Sequence, residues 1–336
     1  MPCFHPLPAI RKRGENTFRI GHEGDIFEPY TDYNTGEIVE PIKIPCGKCV
    51  GCRLDYSRTW ADRCVLEGKS FEHNWFVTLT YDDDFLETKK RSLITPKGTL
   101  TLYPKDLQDF LKRLRVEWFR RHNHEGIRFY ACGEYGSQTF RPHYHILLYN
   151  LPLYDLKPFF INKQGDQIYL SDELSEIWGL GHVSVGEFNW QTAAYTARYV
   201  MKKQKGKGAA EYYENAGIIP EFVRMSRRPG IAREYYEQHK DDIYCDLSPE
   251  NAEHITLCQS SIILPNGREV SAPKYFDRLF EGEDPVFMAF LKEQRRKLAE
   301  LRMEKILEQS DLDERGYFAA KEEYQKNRIK ALTRLL

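Results

Sequence analysis

The sequence predicts an α+β chain organised around an antiparallel sheet. Three observations carry this. Runs of β-branched and aromatic residues alternate with helical periodicities along the middle of the chain. Two of those runs, at 127–136 and 142–150, lie too close in sequence for anything but a hairpin. No apolar stretch approaches the ~20 residues that a membrane helix needs.

The elements follow in order. Residues 1–65 are rich in Pro, Gly and Cys, lack periodicity and end in a helix near Tyr56–Lys69. WFVTLTY (Trp75–Tyr81) has strand composition and stops at the acidic turn Asp82–Asp84. A polar, hairpin-like stretch (Lys89–Leu102) precedes a helix from Pro104, in which Leu107, Phe110, Leu111, Leu114 and Trp118 recur at helical spacing. The paired strands Ile127–Gly136 and Pro142–Asn150 come next. They are followed by a helix at Asp172–Trp178, a strand at His182–Phe188 and a helix at Trp190–Lys203. A Gly/Lys linker, helical pieces and a hairpin about Asn266–Gly267 occupy 206–280. From Pro285 the chain reads as a charged helical tail with twelve basic and twelve acidic residues from Glu281 onward, a solvated helix or partner surface.

The whole chain, with 49 Lys+Arg against 50 Asp+Glu, is not a generic polyanion binder. Cationic charge is local: Arg198 to Arg233 holds nine Lys/Arg against three Glu. Within it RMSRRPGIAR, with Arg224, Arg227, Arg228 and Arg233, is the candidate for contact with a DNA backbone. The N-terminus lacks the apolar core of a secretory signal, so neither export nor membrane insertion is expected. The eight cysteines suit reduced thiols, some holding metal, better than a disulfide scaffold. Cys46, Cys49 and Cys52 form C-x₂-C-x₂-C, a spacing that suits structural Zn²⁺. Cys3, His5 or Cys64 can supply the fourth ligand, and Cys3 completes the set expected here.

His143 and His145 flank Tyr144 inside a strand, so both imidazoles project from one face. Glu134, nine residues earlier on the neighbouring strand, can join them across a hairpin. Two histidines and a carboxylate leave positions open for water or phosphate and suit Mg²⁺ or Mn²⁺ as a Lewis acid. A second pair, His122 and His124, falls in a polar turn and reads as surface histidines. Tyr195 and Tyr199 lie four apart on a helix, hence on one face, with Lys202 and Lys203 beyond them. A tyrosine beside cations and a metal can attack a phosphodiester as a covalent nucleophile.

Three ordered motifs, FVTLTY (Phe76–Tyr81), RPHYHILLYN (Arg141–Asn150) and YTARYVMKK (Tyr195–Lys203), together resemble the HUH endonuclease superfamily. The likeness is to rolling-circle replication initiators of microviruses, the gokushovirus group. CGKCVGCR, with a downstream Arg63–Cys64, is similar to the N-terminal segment of that group. The resemblance implies an HUH fold: a central antiparallel sheet with flanking helices at residues 66–215, a Cys-rich segment at 1–65, and a C-terminal region at 216–336. It implies His143 and His145 as metal ligands with Glu134 as a third, Tyr195 and Tyr199 as nucleophiles, and Lys202 or Lys203 assisting at the scissile phosphate. The implied activity nicks single-stranded origin DNA, forms a 5′-phosphotyrosine link and religates the ends in the cytoplasm of a bacterial host. No G-x₄-G-K-[S/T] occurs, so strand separation is left to a host helicase. Two other readings stand beside this one: a relaxase- or transposase-type nuclease, and a non-enzymatic zinc-containing nucleic-acid-binding protein.

Overall fold

The computed structural model describes residues 3–13, 15, 17–83, 98, 100–136, 139–162, 164–198, 208–244 and 261–333. The chain divides into two compact units, one formed by residues 1–56 with 286–336 and the other by 57–285.

In the first unit β1 (Leu7–Arg11) pairs antiparallel with β2 (Phe18–Ile20) on one side and, further along the chain, with Ile42–Ile44 on the other. Between them β3 (Tyr30–Thr31) and β4 (Ile38–Val39) make a short ladder, so Ile42–Ile44 is β5. Helix α1 (Val50–Lys69) begins here and continues into the second unit. It starts six residues before the expected Tyr56, because Gly51 and the cysteines of its first turn give no helical signal. The tail forms two helices, Pro285–Glu308 and Glu314–Thr333, and it is not wholly solvated: Met288, Leu291 and Phe318 are buried. Its Glu322 meets His5 at 3.0 Å, and Glu314 meets Lys43 at 2.7 Å.

The second unit is built on a seven-stranded antiparallel sheet. Its strands are β6 (Asn74–Thr80), β7 (Arg128–Tyr135), β8 (Pro142–Tyr149), β9 (Lys157–Ile161), β10 (Gln167–Leu170), β11 (Val183–Glu187) and β12 (Phe222–Met225). They lie in the order β12-β7-β8-β6-β11-β10-β9. The hairpin of β7 and β8 is the one the sequence predicts, and β6 flanks β8 on its other side. Most of β8 is buried, which is why HILLY reads as a continuous apolar run rather than an alternation.

One sheet face is covered by α2 (Pro104–His122) and α3 (Asp172–Trp178). Pro104 presets the first turn of α2, and Asn123 closes it in the left-handed region, its N–H donating to Phe119 at 2.9 Å. The five apolar positions picked out by spacing are all buried against Tyr144, Ile146 and Leu148. Tyr144 thus packs away from the histidines; its hydroxyl bonds that of Tyr81 at 2.8 Å, and Tyr81 donates to the buried Asp106 at 2.9 Å.

Helix α4 (Trp190–Arg198) packs against β7 and β8, and its buried Ala194 and Ala197 meet Ala61 of α1. Helix α5 (Ala209–Ala216) precedes β12, and beyond β12 come α6 (Arg233–Tyr244), the ladder β13 (Ser261–Ile263)–β14 (Glu269–Ser271) and α7 (Lys274–Glu283), after which the tail helices are α8 and α9. The β13–β14 turn holds Gly267 at φ +75°, which fits the expected Asn-Gly turn. The stretch expected as a hairpin at 89–102 lies outside the described residues except at Gly98 and from Leu100 to Leu102.

Candidate metal centre and tyrosine helix

Sheet register assembles three candidate ligands. On β7 Glu134 stands directly opposite His143 of β8, and Cys132 stands opposite His145. On β6 Thr80 and Thr78 face the same two histidines from the other side. A single carboxylate oxygen, Glu134 Oε1, lies 2.6 Å from His143 Nε2 and 3.2 Å from His145 Nε2. Ligand atoms of the three residues all lie within 4.8 Å of one another. Glu134 is 2% exposed and His145 5%.

The geometry calls for a cation at this point. His143 Nδ1 donates to the Arg141 carbonyl at 3.1 Å, so in the neutral ring Nε2 carries a lone pair. That lone pair faces a carboxylate oxygen at hydrogen-bond distance, and two acceptors so close repel unless a proton or a metal ion lies between them. The residues therefore fit a divalent metal. Thr78 Oγ1 holds His145 Nδ1 at 3.0 Å and orients the second ring, and Phe76 stacks on that ring at 5.4 Å between centroids. Thr78 and Phe76 lie within the FVTLTY motif, which gives neither residue a role at the site. Their signal is the two-residue alternation of FVTLTY, but which strand they face is decided only by pairing.

Tyr195 closes the cluster from above the sheet. Its ring sits edge-on to His145 at 5.1 Å and to Phe76 at 5.9 Å between centroids. The helix that carries it is anchored at its start. Thr192 N donates to Asn189 Oδ1 and Asn189 N to Thr192 Oγ1, both at 2.9 Å, a reciprocal cap. Trp190 Nε1 donates to Asp62 at 2.8 Å, and Arg268 pairs with the same carboxylate while stacking on the Trp190 ring. Alanines at 193, 194 and 197 allow a close approach to the sheet. Tyr199, Lys202 and Lys203 lie outside the described residues.

The basic segment is placed elsewhere. Arg224 pairs in register with Ala131, which pairs with Ile146, so Arg224 belongs to the α2 face of the sheet and not to the histidine face. Arg224 and Arg227 line a groove of about 560 Å³ with Lys105, Lys112 and Arg115. Arg228 is exposed, whereas Arg233 is paired with Glu237. The second histidine pair is structural rather than free on the surface. His122 Nε2 lies 3.1 Å from Glu173, and His124 Nε2 lies 2.7 Å from the Asn150 carbonyl.

The four N-terminal cysteines Cys3, Cys46, Cys49 and Cys52 also converge, their sulfurs within 4.8 Å of one another. The other two candidates for a fourth ligand are engaged elsewhere: His5 sits between Glu23 and Glu322, and Cys64 is fully buried in the second unit.

Comparison with known proteins defines the class. Residues 74–204, which include β6 and the described part of the tyrosine helix, match the family model Replication-associated protein ORF2/G2P. The chain is 35% identical to Replication-associated protein ORF2 of Spiroplasma virus 4, an alignment covering 100% of this chain and 98% of that one. It is 27% identical to Replication-associated protein VP4 of Bdellovibrio phage phiMH2K over 85% of this chain and 79% of that one. Against Replication-associated protein ORF4 of Chlamydia phage 1 identity is 34%, over 48% of this chain and 38% of the other. The chain belongs to the family of replication-associated proteins of microvirus-type phages. No solved structure matches it.

Proposed function

We propose that this chain initiates rolling-circle replication of a phage genome as a metal-dependent tyrosine endonuclease of the HUH type, cutting and rejoining single-stranded origin DNA. The observation that carries the reading is Tyr195, set edge-on to His145 beside Glu134 and His143 on one sheet face. Membership of the replication-associated family supports the biological setting.

Glu134, His143 and His145 would hold Mg²⁺ or Mn²⁺, which when bound polarises a phosphate oxygen as a Lewis acid. The Tyr195 hydroxyl attacks phosphorus, its oxygen forming the new P–O bond while the bond to the 3′ oxygen breaks and leaves a free 3′-OH. The phenolic proton is lost to solvent as the bond forms and the departing 3′ oxygen takes one up from solvent, so the exchange of one phosphate ester for another is balanced in protons. A 5′-phosphotyrosine link retains the energy of the broken diester, so a later 3′-OH can reverse the attack and close a circle. Tyr199 serves as the second nucleophile of this cycle, with Lys202 or Lys203 stabilising phenolate and phosphate charge. Arg224, Arg227, Arg228 and Arg233 are the proposed contacts to DNA backbone, and a host helicase in the bacterial cytoplasm separates the strands.

The test incubates the protein with single-stranded origin oligonucleotides and Mn²⁺, followed by a denaturing gel and peptide mapping of the adduct. A covalent adduct on Tyr195 or Tyr199 supports the reading. Adducts formed on transposon ends but not on origins would favour the relaxase or transposase class. No adduct with any origin would favour a non-enzymatic zinc-containing binding protein.

A further inference from the structure

We infer that Cys3, Cys46, Cys49 and Cys52 form a tetrathiolate zinc site that staples the N-terminal part of the first unit. The sulfurs have the spacing of a coordination shell and not of disulfides. Cys3 and Cys49 stand 3.9 Å apart, and Cys46 and Cys52 stand 4.0 Å apart. These two pairs share no atom and all four sulfurs lie within 4.8 Å of one another, so the pairs fit opposite edges of one tetrahedron. Thiolates ~2.3 Å from a central zinc stand about 3.8 Å apart along such an edge, whereas a disulfide would bring two sulfurs to ~2.05 Å.

The surrounding backbone is arranged for negative charge on sulfur. Cys46 N donates to Cys3 Sγ at 3.2 Å, and Phe4 N and Cys52 N both donate to Cys49 Sγ at 3.4 Å. Cys49 N and Lys48 N donate to Cys46 Sγ at 3.3 and 3.5 Å. A neutral thiol is a weak acceptor, so this many amides directed at three sulfurs fit thiolates. Cys49 directly precedes α1 and Cys52 lies in its first turn, where unpaired amides and the helix dipole favour anions. Four thiolates in such proximity require a soft, tetrahedral cation, and zinc satisfies that demand without redox chemistry.

The local fold gives the site its purpose. The strands β1 to β5 are two to five residues long. Among the described residues of the first 56, the buried apolar side chains are Phe4, Ala9, Ile10 and Val39. Even with Met288, Leu291 and Phe318 of the tail helices added, the described part of this unit buries few large apolar side chains, so a metal staple supplies stability that packing provides only thinly. The bond network joins Cys3 to Cys46 across 43 residues and encloses all five strands.

The experiment uses the full chain, purified without chelator and carrying His143→Ala and His145→Ala so that the sheet cluster adds no metal. One zinc per chain is expected, released as a mercurial reagent titrates the thiols and lost in Cys46→Ser/Cys49→Ser. Because that variant can also lose its fold, cobalt substitution of the chain with all cysteines intact gives the deciding readout. Thiolate-to-cobalt charge-transfer bands and the visible bands of a tetrahedral ion support the site. A chain that neither carries nor takes up zinc, that holds iron instead, or whose cobalt spectrum lacks thiolate bands would overturn it.

Discussion

At the scale of single residues, burial by itself would push the Glu134 carboxyl up, but hydrogen bonds and positive charge from His143 and His145 hold it down at about 2. A carboxyl depressed in the folded state contributes its stability above the unfolded value near 4.5 and loses it as pH falls through about 2. For metal-free protein the contribution is on the order of 3 kcal/mol. Glu134→Gln should therefore flatten the acid limb of a stability profile followed by urea unfolding between those two pH values. The same substitution should weaken Mn²⁺ binding about tenfold or more by calorimetry. Metal loading of the unsubstituted protein should also fall with pH, because protons compete for the imidazole nitrogens. An unchanged acid limb and unchanged Mn²⁺ affinity would remove Glu134 from the centre.

The tyrosines make a second test at this scale. Tyr195→Phe keeps the ring that packs on His145 and Phe76 and removes only the hydroxyl, so its fold should be unchanged. Some single nicking through Tyr199 is expected to survive, with repeated circle release lost. The double Phe variant should form no covalent adduct on a denaturing gel. If the Tyr195→Phe protein completed multiple rounds at full rate, Tyr195 would be a packing residue.

Among elements, α2 and α4 hold the sheet from opposite faces by different means. The first uses large side chains at helical spacing. Leu114 is fully buried, so Leu114→Ala leaves a cavity and should cost about 2–5 kcal/mol in denaturant unfolding. Helix α4 works through small residues and its cap. Ala197→Leu would force a larger side chain against Ala61 and should cost about 1–3 kcal/mol. Because that displacement moves the element carrying Tyr195, adduct formation should drop further than the stability loss alone explains. Leu114→Ala, on the opposite face of the sheet from the tyrosine, should lower stability while sparing the adduct yield of the folded fraction. Equal effects of the two variants on adduct yield would show that α4 placement has no special bearing on the chemistry.

For the whole molecule, balanced net charge means that affinity for DNA depends on local cationic surface and not on a global field. Arg224, Arg227 and Arg228 are exposed, and two of them line the groove along α2. Replacing all three by Ala should weaken single-strand binding and lower the slope of log affinity against log salt by about 0.7 for each phosphate that is no longer neutralised. Binding titrations at several salt concentrations measure this directly. An unchanged slope would assign those arginines to a solvated face. Among the described residues no helix is long and apolar enough to cross a membrane.

Composition and periodicity determined much of this protein. Alternating side chains placed His143 and His145 on one face, helical spacing marked the buried side of α2, and Asn266–Gly267 marked a turn, because each of these patterns is a local consequence of backbone geometry. The short distance from Glu134 to His143 was legible for the same reason, since only a hairpin joins strands so near in sequence. Tertiary structure decided the rest. Thr78 and Phe76 join the histidines through the pairing of β6 with β8, across 67 residues of chain in the case of Thr78 and His145. Cys3, expected as the fourth thiol, reaches Cys46 across 43 residues that hold five strands, a proximity no short window contains, and Arg224 was sent to the α2 face by the register of an edge strand. The clustering of the C-terminal helices with the N-terminal segment in one unit likewise has no local signature. Nearest-neighbour patterns record which way a side chain points, but partners distant in sequence are selected by packing and strand register, which a short window does not contain.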